Sequence, residues 1–409
     1  MFFQLVLFLL AANWPSWRGP DGLGVSIDKP MSTHWSKTDK VRWRVPLPEP
    51  GNSTPVVWGN RVFVTQALKQ QDRRTLMCFE RASGKLLWQS GVTYREPEPT
   101  HPANPYASAS PVTDGKLVIV WFGSAGLLAY DMDGHEIWRR DLGKQSHTWG
   151  YGSSPILHGE HVFLNFGPGE RAFLVALEKK TGKTVWQVDA PPGQGSQFSN
   201  WSAADMYGSW TTPIVVRAGG REELVVSWPR RVSAFDPGSG KRLWTCEGLG
   251  DLVYPSPIYS DGIVVAMGGF GGPSLAVRAG GSGDITSTHR LWRLPKSRQM
   301  IGSGVVKSGR IYLVDNNGVA ECLELATGKV VWTSRLKASG ESGGVWSSPV
   351  LNGDKIYVMN KSAEVFIFRA GPQFELLATN SLGEETNSSV AISDGGLFLR
   401  TYATLWCIR

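Results

Sequence analysis

Along most of the chain apolar and polar residues alternate in short runs, as in "KLVIV" (116–120), "LLAYD" (127–131) and "KIYVM" (355–359). A period of two marks half-buried β-strands. The runs are separated by turn-forming clusters such as "TDGK", "LNGD" and "SDGG". Helical periodicity is scarce. The pattern predicts an all-β chain of many short strands joined by tight turns.

The strands recur in a larger unit. "RASGKLLW" (81–88), "KKTGKTVW" (179–186), "LATGKVVW" (325–332) and the looser "PGSGKRLW" (237–244) share a glycine turn followed by a tryptophan. Aligned on that position, the chain shows Trp43, Trp88, Trp138, Trp186, Trp244, Trp292 and Trp332, with Leu377 in an eighth place and intervals of 40 to 58 residues. A second marker, a hydroxyl-rich pair before proline, ends at Pro55, Pro111, Pro155, Pro213, Pro257 and Pro349. Val305 and Val390 stand in its place in two units. Between the markers lie four strands with alternating apolar faces, the composition of a propeller blade.

Residues 13–409 therefore read as one eight-bladed β-propeller of four-stranded antiparallel blades. The last unit has three strands, so the N-terminal strand around Trp43 (41–45) is expected to complete it beside residues 404–408, closing the ring and hiding its edges. Each tryptophan is expected to wedge between adjacent blades, where truncation to alanine costs about 3–5 kcal/mol if the ring is buried.

Several motif-like strings fall in turn slots and read as structure. "DMDGHE" (131–136) lacks the later ligands of a calcium loop. "GSGK" (238–241) lacks the leading glycine of a phosphate loop, and "HGEH" (158–161) lacks the helical zinc spacing. Cys78, Cys322 and Cys407 occupy the third-strand place that Ala129, Ala176, Ala234 and Ala276 fill elsewhere, and Cys246 follows Trp244. Buried, separate thiols are expected, with no disulfide and no metal site.

Composition adds little. A net charge of +7 without a dense Lys/Arg run gives no basis for nucleic-acid binding. Residues 1–12, "MFFQLVLFLLAA", have the apolar core and small-residue end of a signal peptide or its remnant, without a basic start. They are too short to span a bilayer. The expectation is an exported, periplasmic or extracellular monomer without a transmembrane span.

In such blades the turns between strands one and two, and three and four, share one face. Inter-blade connections and the loops between strands two and three share the other. The second set varies in length here, which is where function sits on a rigid scaffold. His101, Asn104, Tyr106, Trp149, Trp201, Asp205, Trp210, Tyr254, Arg298 and Trp346 fall in those connections. They are expected to form an aromatic and polar funnel for a protein partner or a small saccharide-like ligand. No catalytic residue is assigned.

The repeat "LVALEKKTGKTVW" (174–186) resembles that of pyrroloquinoline-quinone-type (PQQ) propellers, a superfamily of quinoprotein alcohol dehydrogenases and BamB-like scaffolds of outer-membrane β-barrel assembly. "WPSWRGPDGLGVS", "HPANPYASASPVTDGK" and "RAGPQFELLATNSLGE" resemble exported bacterial BamB-like repeat proteins. The resemblance implies the propeller fold and a binding or scaffold role in the cell envelope. The alternative is an enzyme acting on alcohols or saccharides, either the PQQ- and calcium-dependent oxidoreductase that the resemblance implies or another funnel-based enzyme. That chemistry in the family comes with adjacent cysteines, a calcium-holding set and a catalytic aspartate. No two cysteines are neighbours here and no calcium set maps residue by residue, so no cofactor is expected outside the alternative.

Overall fold

The computed structural model describes residues 12–192, 207–339 and 344–409. Alternating runs form eight blades of four antiparallel strands in simple meander order, and two of the blades gain a short parallel fifth strand. Blade 1 comprises Val56–Trp58, Arg61–Leu68, Arg73–Glu80 and Leu86–Thr93; blades 2 to 7 follow with first strands Val112–Thr113, Ile156–His158, Ile214–Ala218, Ile258–Ser260, Val305–Lys307 and Val350–Asn352. Blade 8 holds Ala391–Ser393, Gly396–Arg400, Thr404–Ile408 and, as its outer strand, Val41–Pro46. The last two pair Val41 with Ile408, Trp43 with Cys407 and Val45 with Leu405, so the two ends of the chain share one sheet as expected.

The repeated tryptophan and the repeated glycine prove to be two halves of one contact. Each ring reaches the third-to-fourth turn of the next blade. The indole N–H groups of Trp43, Trp88, Trp138, Trp186, Trp292 and Trp332 donate to carbonyls there at 2.8 to 3.0 Å. The rings of the first five, in the same order but for Trp332, lie against Gly84, Gly134, Gly182, Gly240 and Gly328, where a Cβ would come within 2.6 to 2.8 Å. All five glycines have positive φ, so the turn conformation and the close approach both exclude a side chain. Across the strand pair, Trp88 faces Cys78, Trp138 faces Ala129 and Trp332 faces Cys322, which explains the small-residue slot. The four cysteines are free and buried.

Two blades depart from this rule, each where the following turn is different. Blade 8 has no third-to-fourth turn, because its outer strand comes from the other end of the chain. Blade 7 correspondingly has no tryptophan: Ala378 pairs with Ile367 in that slot. Leu377, aligned with the tryptophans in sequence, is instead the bulged residue beside it. Trp35, from the N-terminal segment, is buried in the same cluster as Ala378. Blade 5 replaces its turn with an insertion whose Gly283–Asp284 pairs parallel to the outer strand of blade 4. Trp244 there donates instead to the buried Glu223 carboxylate at 2.7 Å.

The N-terminal segment crosses the central channel. Asn13 accepts from Gly59 in the first turn of blade 1. Trp14 exchanges two backbone hydrogen bonds with Val57 at 2.8 Å, Pro15 accepts from Thr113 of blade 2, and Val25–Ser26 pairs with the inner strand of blade 7. Between them the buried Arg18 guanidinium donates to the Ser303 and Gly304 carbonyls at 2.6 Å and to Leu23 at 2.8 Å. Burial without a carboxylate partner pushes its pKa down to about 9. The segment plugs the ring. Among the described residues no helix is long and apolar enough to cross a membrane. Residues 1–11, most of the stretch read as a signal peptide, lie outside the described residues.

Candidate ligand-binding funnel

The hydroxyl-rich markers converge where the inner strands begin. The backbone N–H of Thr54 donates to Ser110 Oγ, Ser110 to Ser154, Ser154 to Thr212, Thr212 to Ser256, Ser256 to Ser303, Ser303 to Ser348 and Ser348 to Ser389, at 2.8 to 3.0 Å. The hydroxyls thus form a girdle that ties each blade to the next. The eighth link is absent at the seam between blades 8 and 1, where Thr54 Oγ1 has no partner. Arg400 of blade 8 crosses that seam instead, donating to the Ser53 hydroxyl, the Thr65 carbonyl at 2.7 Å and Gln66 Oε1 at 3.3 Å.

Above the girdle lies a cavity of about 600 Å³ to which all eight inter-blade connections contribute. Trp17, from the plug, is its floor, so the funnel is blind. Trp149, Trp210, Tyr254 and Phe270 form one wall, and Trp346 with Lys361 faces the ring from blade 7. Trp210 and Tyr254 pack with ring centroids 4.8 Å apart. The amides of Asn52, Asn104, Gln299, Asn316, Asn317 and Asn387, with Ser108, Ser154, Ser348 and Ser389, fill the remainder. Lys361 is the one charged side chain among the described lining residues. Its Nζ lies 4.0 Å from the Trp346 ring centre, and burial lowers its pKa.

The predicted residues divide into four groups. Asn104, Trp149, Trp210, Tyr254 and Trp346 line the cavity. His101 and Tyr106 stand behind it as supports. The imidazole stacks on Trp149 with centroids 3.8 Å apart, and Tyr106 donates to the Glu98 carbonyl at 2.7 Å beneath the Arg74 guanidinium. Asn104 secures the same region through the carbonyls of Trp149 and Tyr151, at 2.6 and 3.0 Å. Arg298 does not face the funnel. Glu321 at 3.0 Å and Asp315 at 3.4 Å draw it toward blade 6, where it lines a separate apolar crevice of about 390 Å³ between blades 5 and 6. Burial disfavours its charge, but the two carboxylates outweigh that and hold its pKa above the usual guanidinium value. Trp201 and Asp205 lie outside the described residues.

Sequence reasoning overlooked most of the lining although a signal was present. Asn52, Ser108, Gly152, Trp210, Tyr254, Trp346 and Asn387 all stand three residues before the proline or valine marker, and all line the cavity. Only the aromatic members were singled out. Lys361 and Asn316 lie in loops between strands two and three, and Trp17 precedes the repeats, so none of the three carries a repeat signal.

The fold and its blind central funnel place this protein among the eight-bladed PQQ-like propellers. The chain belongs to the family described as outer membrane protein assembly factor BamB, whose model matches residues 25–98, 72–333 and 229–373. It is 21% identical to BamB of Burkholderia pseudomallei over 77% of this chain and 84% of that protein. It is 22% identical to polyvinylalcohol dehydrogenase of Pseudomonas sp over 78% of this chain and 50% of that enzyme. Among solved structures, BamB of Moraxella catarrhalis superposes with a TM-score of 0.62 at 15% identity, covering 92% of this chain and 98% of that one. Quinohemoprotein alcohol dehydrogenase of Comamonas testosteroni superposes with a TM-score of 0.71 at 11% identity, covering 97% and 80%. At these identities the structural likeness establishes the fold alone.

Among the described residues no group of three or more His, Cys, Asp and Glu is placed to hold a metal ion.

Proposed function

We propose that the protein is a non-enzymatic binding or scaffold propeller of the cell envelope that takes its ligand or partner at the funnel. The observation that carries this reading is the convergence of all eight connections on one blind cavity of half-buried indoles, amides and hydroxyls. Such groups give stacking and directed hydrogen bonds. Its described lining contains no carboxylate, histidine or cysteine to serve as an acid, base or nucleophile. Relatives named for outer-membrane protein assembly support both the scaffold role and an exported location.

The alternative, a PQQ- and calcium-dependent oxidoreductase, draws support from the relative named polyvinylalcohol dehydrogenase. Two measurements separate the readings. Loading with PQQ and calcium should yield no dye-linked oxidation of alcohols or sugars. Capture of envelope components by the wild-type protein should fall in Trp210→Ala and Trp346→Ala. Dye reduction, or capture unchanged in both variants, contradicts the reading.

A further inference from the structure

Lys361 sits in an unusual electrostatic position. It is half-buried, it makes no ion pair with a described residue, and no carboxylate is found among the described residues lining its cavity. Its Nζ lies over the Trp346 ring, 4.0 Å from the centroid. A ring quadrupole compensates a desolvated ammonium only in part, so a ligand anion would complete the site.

The shape of the cavity restricts what carries that anion. Trp17 and the Arg18 anchor close the floor, so the site is a well and not a groove for an extended chain. The inner-strand N–H groups of Ser154, Ser303 and Ser348 at its base are already bound to the hydroxyl girdle, so an added β-strand finds few backbone donors there. What the well offers is flat apolar ring faces separated by amides and hydroxyls. The girdle hydroxyls of Ser154, Ser348 and Ser389 accept a backbone N–H and keep their own protons to donate. Flat C–H faces edged by many hydroxyl groups are the complement of that lining, and a volume of about 600 Å³ lies in the range of small-ligand pockets.

Resting on the binding role assigned to the funnel, we propose that its ligand is an acidic saccharide, with sugar rings stacked along the Trp149, Trp210 and Tyr254 wall and a carboxylate or sulfate paired with Lys361.

Calorimetric titration of the full chain with trigalacturonate, maltotriose and triglutamate tests this. Trigalacturonate should bind at least about tenfold more tightly than maltotriose, the value of one charge-assisted contact. Lys361→Gln should remove that advantage while leaving thermal unfolding in place. Trp346→Leu, read alongside, should weaken binding and shift the tryptophan emission change on titration. Equal binding of maltotriose, tighter binding of triglutamate, or an unchanged affinity in Lys361→Gln overturns the proposal. If no saccharide binds while envelope capture still depends on Trp210 and Trp346, the ligand class is wrong and the funnel reading stands. If both fail, both are wrong.

Discussion

Gly182 and Trp138 show how one residue's environment is set by another some forty positions away. The glycine holds φ at +69°, and a Cβ on it would lie 2.7 Å from the indole. Gly182→Ala should therefore cost about 1–3 kcal/mol from strain and overpacking. In a Trp138→Leu background the steric part disappears, so a double-mutant cycle by urea unfolding should give a coupling of about 0.5–3 kcal/mol; additivity would contradict the docking. The repeat made this pair legible, because both members recur at fixed spacing. Leu377 was misplaced by one residue because the turn before it is one residue longer: the Arg369 N–H closes on the Glu375 carbonyl, where Glu178 closes on Lys183 and Glu324 on Lys329.

Glu98 supplies a residue-scale pH dependence. Burial pushes its carboxyl above the usual range, against the opposing Ser124 N–H and hydroxyl contacts at 2.6 and 2.7 Å. A folded pKa above the unfolded one means stability that is fully present below the unfolded pKa and lost as pH rises through the folded one. Glu98→Gln keeps the acceptor for Ser124 and removes the charge. Its stability should gain on the wild type as pH rises from about 4 toward 7. A constant difference in denaturation midpoints across that window would contradict the assignment.

At the scale of elements, the inner strands are held by the hydroxyl girdle as much as by apolar packing. Ser303 is fully buried and accepts from the Ser256 amide at 2.8 Å. Ser303→Ala should cost about 1–3 kcal/mol by orphaning that donor, and should speed hydrogen exchange at the Ser256 amide relative to other blades. Unchanged exchange would show that the link is incidental. The marker pairs announced hydroxyls at the channel mouth. That they bind the neighbouring blade's backbone needed the curvature of the ring, which a linear sequence does not display. Arg298 was misread for a related reason: its connection faces the funnel, but Glu321 and Asp315 on the next blade pull the side chain aside.

For the whole molecule, eight blades, strand order and the shared final sheet followed from the period and from the three-stranded last unit. The plug did not. "WPSWRGPDGLGVS" has no alternation and no repeat partner, and its role depends on Arg18 meeting carbonyls nearly three hundred residues away. The plug is nevertheless what turns an annulus into a blind well, and it supplies the Trp17 floor. The two faces of the ring consequently differ: one carries short uniform turns, and the other carries the connections that build the cavity.

That asymmetry gives the most direct test. A photocrosslinking amino acid placed at Asn317, exposed on the funnel rim, and separately at Lys116, exposed in a turn on the opposite face, can be activated in the presence of envelope components. Adducts should form from position 317 and be scarce from position 116. Equal or greater yield from position 116 would contradict the claim that the funnel is the binding face.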